Sequence, residues 1–232
     1  MGKKKKSVLR FWIEALLVVG LVATGGVLWW QTRHWSPERA DYPTQGLLAG
    51  AGDGVVDISA LRTARADFVY LEASSGADGR DELFGRNLAA LADTGIPFGA
   101  VHSYDPCVAA EKQAANFVTI VPRDPAMLPP AIALDTPATA CNDPVLEAAV
   151  ESELTTFINQ VEGHAGQPVV LKVSEDFERA HAIASRIERN LWLERDWLEP
   201  DYAGRPWTLW TANGALQNPA NGEPMRWVVV QN

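Results

Sequence analysis

From residue 67 to the end of the chain, short apolar runs of strand character alternate with longer segments whose apolar residues keep helical spacing. "DFVYLEAS" (67–74) precedes "ELFGRNLAALADTG", in which Leu83, Phe84, Asn87, Leu88 and Leu91 fall on one helix face before Gly95 stops it. "PFGAVHSY" (97–104) is the next strand, "VAAEKQAANFVTIV" the next helix, and "AIALD" (131–135) the next strand. In "DPVLEAAVESELTTFINQVEGHAG", Asp143 reads as the N-cap and Pro144 as the first helical residue. The apolar stripe there is Leu146, Ala149, Val150, Leu154, Phe157 and Val161. "PVVLKVS" (168–174), a helix near 175–189, "LWLER", "WTLWTANG" and "RWVVVQN" complete the series. Strands and helices joined this closely make a mostly parallel sheet covered by helices, either a barrel or an open doubly wound sheet. In both, chemistry sits at the carboxyl ends of the strands, which puts Ser74, Ser75, His102, Tyr104, Asp105, Asp135 and Ser174 on one rim.

The chain before this region is different. Four lysines at 3–6 and Arg10 precede an apolar run from Phe11 to Trp30 broken only by Glu14, and about 20 such residues suffice for a membrane-crossing helix. The expected organisation is a basic cytoplasmic segment (1–10), a transmembrane helix (11–30), a polar linker with two prolines (31–44) and a folded domain (45–232). A cleaved signal peptide is the competing reading. The length of the run, the closing pair Trp29 and Trp30, and the lack of an A-x-A site favour an anchor, with everything after it outside the cytoplasm.

Beyond residue 30 the chain holds 15 basic and 28 acidic residues, a formal charge of −13, so nucleic acid and anionic lipid are poor partners. Its two cysteines, Cys107 and Cys141, follow consecutive strands and should emerge on the same rim. A disulfide there and two buried thiols both fit. No metal-ligand spacing, glycine-rich phosphate loop or nucleophile elbow occurs, so neither a metal site nor a cofactor is expected.

With these segments in order, the chain from Gly46 onward resembles the lysozymes of glycoside hydrolase family 25. "FVYLEASSG" is similar to the family's F-V-Y-I-K-A-T-E-G, Asp81 with Phe84 and Asn87 to D-x-x-F-x-x-N, and "GAVHSY" to G-A-Y-H-F. Asp57 falls on the second aspartate of the opening G-I-D-V-S-x-x-Q-G-x-I-D-W. "EKQAANF", "LPPAIALDTP", "PVVLKVSEDF", "LWLERDW" and "TLWTANG" follow family segments in the same order. The resemblance implies a modified (β/α) TIM-like barrel and a muramidase ancestry, with peptidoglycan or a related glycan as ligand and a bacterial cytoplasmic membrane as the anchor's location.

The departures fall where that family does its chemistry. Its D-x-E strand end carries two carboxyls on one face; here Asp135 remains and Pro137 stands at the glutamate position. The first-strand aspartate falls on Leu48, the lysine and glutamate of K-A-T-E-G on Glu72 and Ser75, and the tyrosine of Y-T-S on Lys172. A carboxylate near the family's C-terminal end aligns near Arg226. Glycoside hydrolysis asks for two carboxyls with separate duties. Asp135 therefore reads as the remnant of a dismantled pair, or as a simple Asp-Thr-Pro turn opener.

Glu72 and Asp105 are the candidate replacement acids, against a solvated or salt-bridged carboxylate and a turn residue respectively. His102, Tyr104 and Trp210 are the candidate sugar contacts, although a satisfied buried histidine and core tryptophans account for such residues equally well. Three functions follow: a glycan-binding domain with hydrolysis lost or reduced, a working muramidase using Asp135 with Glu72 or Asp105, and a scaffold for another envelope protein.

Overall fold

The computed structural model describes residues 2–143, 145–219 and 222–231, with side chains described from Arg10 onward. The chain divides after Trp35 into two compact units. The first is one helix, α1 (Gly2–His34). Within its Arg10–His34 stretch an 18-residue window reaches a mean hydropathy of 2.0, and the stretch is long and apolar enough to cross a membrane or to act as a signal sequence.

The second unit is a closed barrel. Its strands are β1 (Gln45–Ala49), β2 (Phe68–Ser75), the two-residue β3 (Gly79–Arg80), β4 (Phe98–Ser103), β5 (Ala131–Leu134), β6 (Val170–Val173), β7 (Asn190–Glu194), β8 (Leu209–Gln217) and β9 (Pro224–Val230). Neighbours run in the order β1-β2-β4-β5-β6-β7-β8-β9, and β9 returns to β1, which closes eight strands; β3 only folds back on β2. All pairings from β1 round to β8 are parallel, and β9 lies antiparallel to both its neighbours.

Helices fill the crossovers: α2 (Ile58–Ala64), α3 (Phe84–Leu91), α4 (Ala110–Ile120), α5 (Glu147–Ala165), α6 (Glu175–His181) and α7 (Ile183–Arg186). The strands read as near-continuous apolar runs because both faces are covered. Leu48, Phe68, Tyr70, Val101, Ala131, Ala133, Val170, Trp192, Leu209 and Val228 fill the interior. The alternate residues, such as Val69, Ile132, Leu134, Leu171 and Leu193, are buried under the helices. Gly99 makes room for the inward ring of Tyr70, since a Cβ there would strike it.

Three local expectations change. The long helix α5 starts at Glu147 with Leu146 as its cap, not at Asp143; Leu146 is exposed, and Pro144 lies outside the described residues. A 3-10 turn, Ala138–Ala140, and a disulfide from Cys141 to Cys107 (Cα–Cα 5.5 Å) hold the preceding chain out of helical geometry. The disulfide also answers which of the two cysteine states obtains. The helix expected near 175–189 is two short ones, broken at Ala182, whose φ of 48° is left-handed. Residues 36–44 pack on the barrel: Arg39 pairs with Asp67 at 2.8 Å, and Gln45 Nε2 donates to the carbonyls of Pro37 and Tyr42.

Candidate functional site

The carboxyl ends of the parallel strands form the mouth, and strand parity decides what faces it. Asp135 follows Ala133 on the inward face of β5, Lys172 follows Val170 on β6, Glu194 follows Trp192 on β7, Glu72 follows Tyr70 on β2, and Arg226 precedes Val228 on β9. These five side chains make two ionic clusters. Lys172 Nζ lies 3.3 Å from Asp135 Oδ1 and 2.9 Å from Glu194 Oε1, with its side chain only 7% exposed. Arg226 bonds Glu72 Oε1 through Nη1 and Asp53 Oδ2 through Nη2, the latter at 2.6 Å.

The first cluster stands on an apolar floor. Trp192 beneath it is fully buried and donates from Nε1 to Thr211 Oγ1 at 2.8 Å. Burial works to lower the Lys172 pKa, but Glu194 and Asp135 more than offset it and hold the ammonium above its ordinary value. Tyr202 ties the chain behind Glu194 to the barrel, accepting from Glu194 N and donating to Val173 O.

The second cluster depends on the turn after β1. Asp53 Oδ2 accepts from Gly50 N at 2.8 Å as well as from Arg226, and Ala51 N donates to Asp81 Oδ2 at 2.5 Å. A Cβ at Gly50 would meet the Glu72 carboxylate, so the glycine leaves that side chain its place beside Arg226. Two adjoining hollows open on this side of the rim. One of about 270 Å³ is lined by Glu72, Ser75, Arg80, Asp81 and Ser103. The other, of about 490 Å³, is lined by Ser75, Asp78, Ser103, Tyr104, Asp105 and Thr136.

The residues singled out from sequence separate into two groups. Asp135 and Glu72 face the mouth, though in different clusters, and Asp105 lies in the wall of the larger hollow. One Asp105 oxygen accepts from Cys107 N at 2.8 Å, so it shapes the loop that the disulfide holds. His102 and Trp210 do not face the mouth, because they stand one residue out of phase with the inward positions; Tyr104 is out of phase likewise but lines the larger hollow. His102 is buried behind β4, with Nδ1 2.8 Å from Ser74 Oγ and Nε2 3.4 Å from Gln113 Oε1. Burial lowers its pKa to about 4, partly opposed by Gln113.

Tyr104 packs its buried ring on Phe157, and burial raises its pKa. Trp210 is buried against Tyr42 and Trp207 and donates to Arg195 O at 2.8 Å. Leu48 belongs to the core, Asp57 caps α2 by accepting from Ser59 N and Ala60 N, and Pro137 caps the 3-10 turn. Glu194 is the mouth carboxylate that motif reasoning missed. Counting two residues on from the inward Trp192 would have found it. Among the described residues, no three His, Cys, Asp or Glu side chains are arranged to hold a metal ion.

Residues 51–217 match the family model of the glycosyl hydrolases family 25. A family 25 glycosyl hydrolase from Bacillus anthracis superposes with a TM-score of 0.77 at 22% identity, covering 86% of this chain and 93% of that one. A bacterial lysozyme from Streptomyces coelicolor gives 0.70 at 18% identity over 82% and 92% of the two chains. A muramidase from Acremonium alcalophilum gives 0.65 at 18% identity over 82% and 93%. Comparison with curated protein sequences finds no match.

Proposed function

Because this chain belongs to the glycosyl hydrolases of family 25, we propose that its barrel binds peptidoglycan with hydrolysis lost or much reduced, held by α1 as a single span in a bacterial cytoplasmic membrane with the barrel outside. One observation carries the reading: the inward carboxylates Asp135, Glu194 and Glu72 are each paired with a cation. Glycosidic cleavage needs one carboxyl that gives a proton and another that stays ionised. Each of these carboxylates is engaged by a cation, so none of them stands free to hand a proton to a leaving oxygen. Pro137 cannot supply the missing proton. Loss of a general acid removes about 10² to 10⁴ of rate.

Two measurements on the purified full chain test this. It should pellet with insoluble peptidoglycan, and it should leave the turbidity of a cell-wall suspension unchanged. Clearing of that suspension, abolished by Asp135→Asn, would mean a working muramidase. Failure to pellet would leave a scaffold for another envelope protein as the surviving function.

A further inference from the structure

Asp135 and Glu194 share one ammonium at 3.3 and 2.9 Å, so the bonded oxygens lie within about 6 Å of each other, a span that one pyranose with its substituents can bridge. Their side chains are 47% and 32% exposed, whereas Lys172 is 7% exposed. The carboxylates are therefore open to a ligand and the cation is not. Lys172 engages one oxygen of each, Asp135 Oδ1 and Glu194 Oε1. The other acidic groups of the mouth are engaged elsewhere: Glu72 by Arg226, Asp53 by Gly50 N and Arg226, Asp81 by Ala51 N and Leu83 N, and Asp105 by Cys107 N.

An ionised carboxylate only accepts hydrogen bonds. Two of them side by side suit a neutral ligand rich in hydroxyl and amide N–H donors and repel an anionic one. Building on the glycan-binding reading, we infer that Asp135 and Glu194 form a paired acceptor site that grips hydroxyl and N–H donors of one sugar unit, with Lys172 as the positioning residue that keeps both carboxylates in place. Glu194 thus does for binding what the lost carboxyl beside Asp135 did for cleavage, from a different strand. The apolar floor of Trp192 strengthens the arrangement by limiting water beneath the ions.

Full-length protein is tested for pelleting with insoluble peptidoglycan and for competition by a neutral N-acetylated chitooligosaccharide. Asp135→Asn and Glu194→Gln should each weaken binding roughly tenfold or more, the usual cost of a hydrogen bond to a charged group. Asp176→Asn, on the exposed face of α6, should bind as wild type does. Lys172→Met leaves two like charges together with no cation between them, so its binding should weaken, and Lys172→Arg, which keeps the charge, should restore part of it. The other groups around the triad, the Glu72–Arg226 pair across the mouth and Tyr202, Glu175 and Glu178 behind Glu194, remain in both proteins.

If wild type pellets and Glu194→Gln pellets equally well, the paired site is wrong while glycan binding stands. If wild type does not pellet at all, the glycan reading itself falls. Wild-type binding by folded Lys172→Met removes the positioning role. Should that variant fail to fold, Glu194→Gln, which alters one charge and no volume, carries the test.

Discussion

Lys172 and Arg226 stand on opposite sides of the mouth, each between two carboxylates, yet the lysine side chain is 7% exposed and the arginine 27%. The lysine cluster draws on three consecutive parallel strands, β5, β6 and β7, so sheet register alone brings its members together. The arginine comes from the antiparallel strand β9 and reaches past β1, through the gap that Gly50 leaves, to Glu72 and the Asp53 turn. The loop carrying Asp135 is also stapled by Cys107–Cys141, whereas hydrogen bonds and ion pairs hold the Asp53 turn. One half of the rim is thus fixed by register and a covalent bond, and the other by charges that water and salt can reach.

The largest test of this contrast removes both counter-charges at once. Asp135→Asn with Glu194→Gln leaves a buried ammonium without a counter-charge and should cost about 3–5 kcal/mol, read as a lower denaturation midpoint; a loss near zero would mean that Lys172 is less enclosed than described. Next, replacing both cysteines by serine opens a covalent loop of 34 residues' separation. It should cost roughly 3–4 kcal/mol on a chain-entropy account, and faster amide exchange should appear around residues 135–141 and not around 51–56.

His102 sharpens the comparison from behind the stapled side. Its folded pKa of about 4 lies below the ordinary 6.5, so between these values the unfolded chain binds the extra proton. Stability should fall as pH drops from 6.5 to 4 and level off below, by about 3 kcal/mol in all. His102→Gln should lack that component, and parallel curves for the two proteins would contradict it. The smallest effect belongs to Arg226→Met, at about 1–2 kcal/mol because its partners are partly solvated. The gap to wild type should shrink in roughly 1 M salt, and equal loss at all salt concentrations would place this cluster in the same class as the lysine one.

The strands of the barrel were legible because each is an apolar run bounded by turn residues, and β5 ends one residue before Asp135, where "AIALD" puts it. Closure was not legible from periodicity, which fits an open sheet equally well; the resemblance carried it, since the pairing of β9 with β1 joins segments nearly 180 residues apart. In the site, attention to the D-x-E position kept the search on β5, while the compensating carboxylate had moved two strands away to Glu194. His102 and Trp210 misled for a related reason: a motif match fixes position along a strand, and only parity against known inward residues fixes the face. The start of α5 was misread because Asp143 and Pro144 form a strong local signal that the disulfide at Cys141 overrides.

The antiparallel course of β9 has one more outcome. It begins at the mouth with Arg226 and finishes beside the start of β1, where Val230 N donates to Thr44 O. Polypeptide therefore enters β1 and leaves β9 side by side at the barrel's base, at the far end of both strands from the mouth.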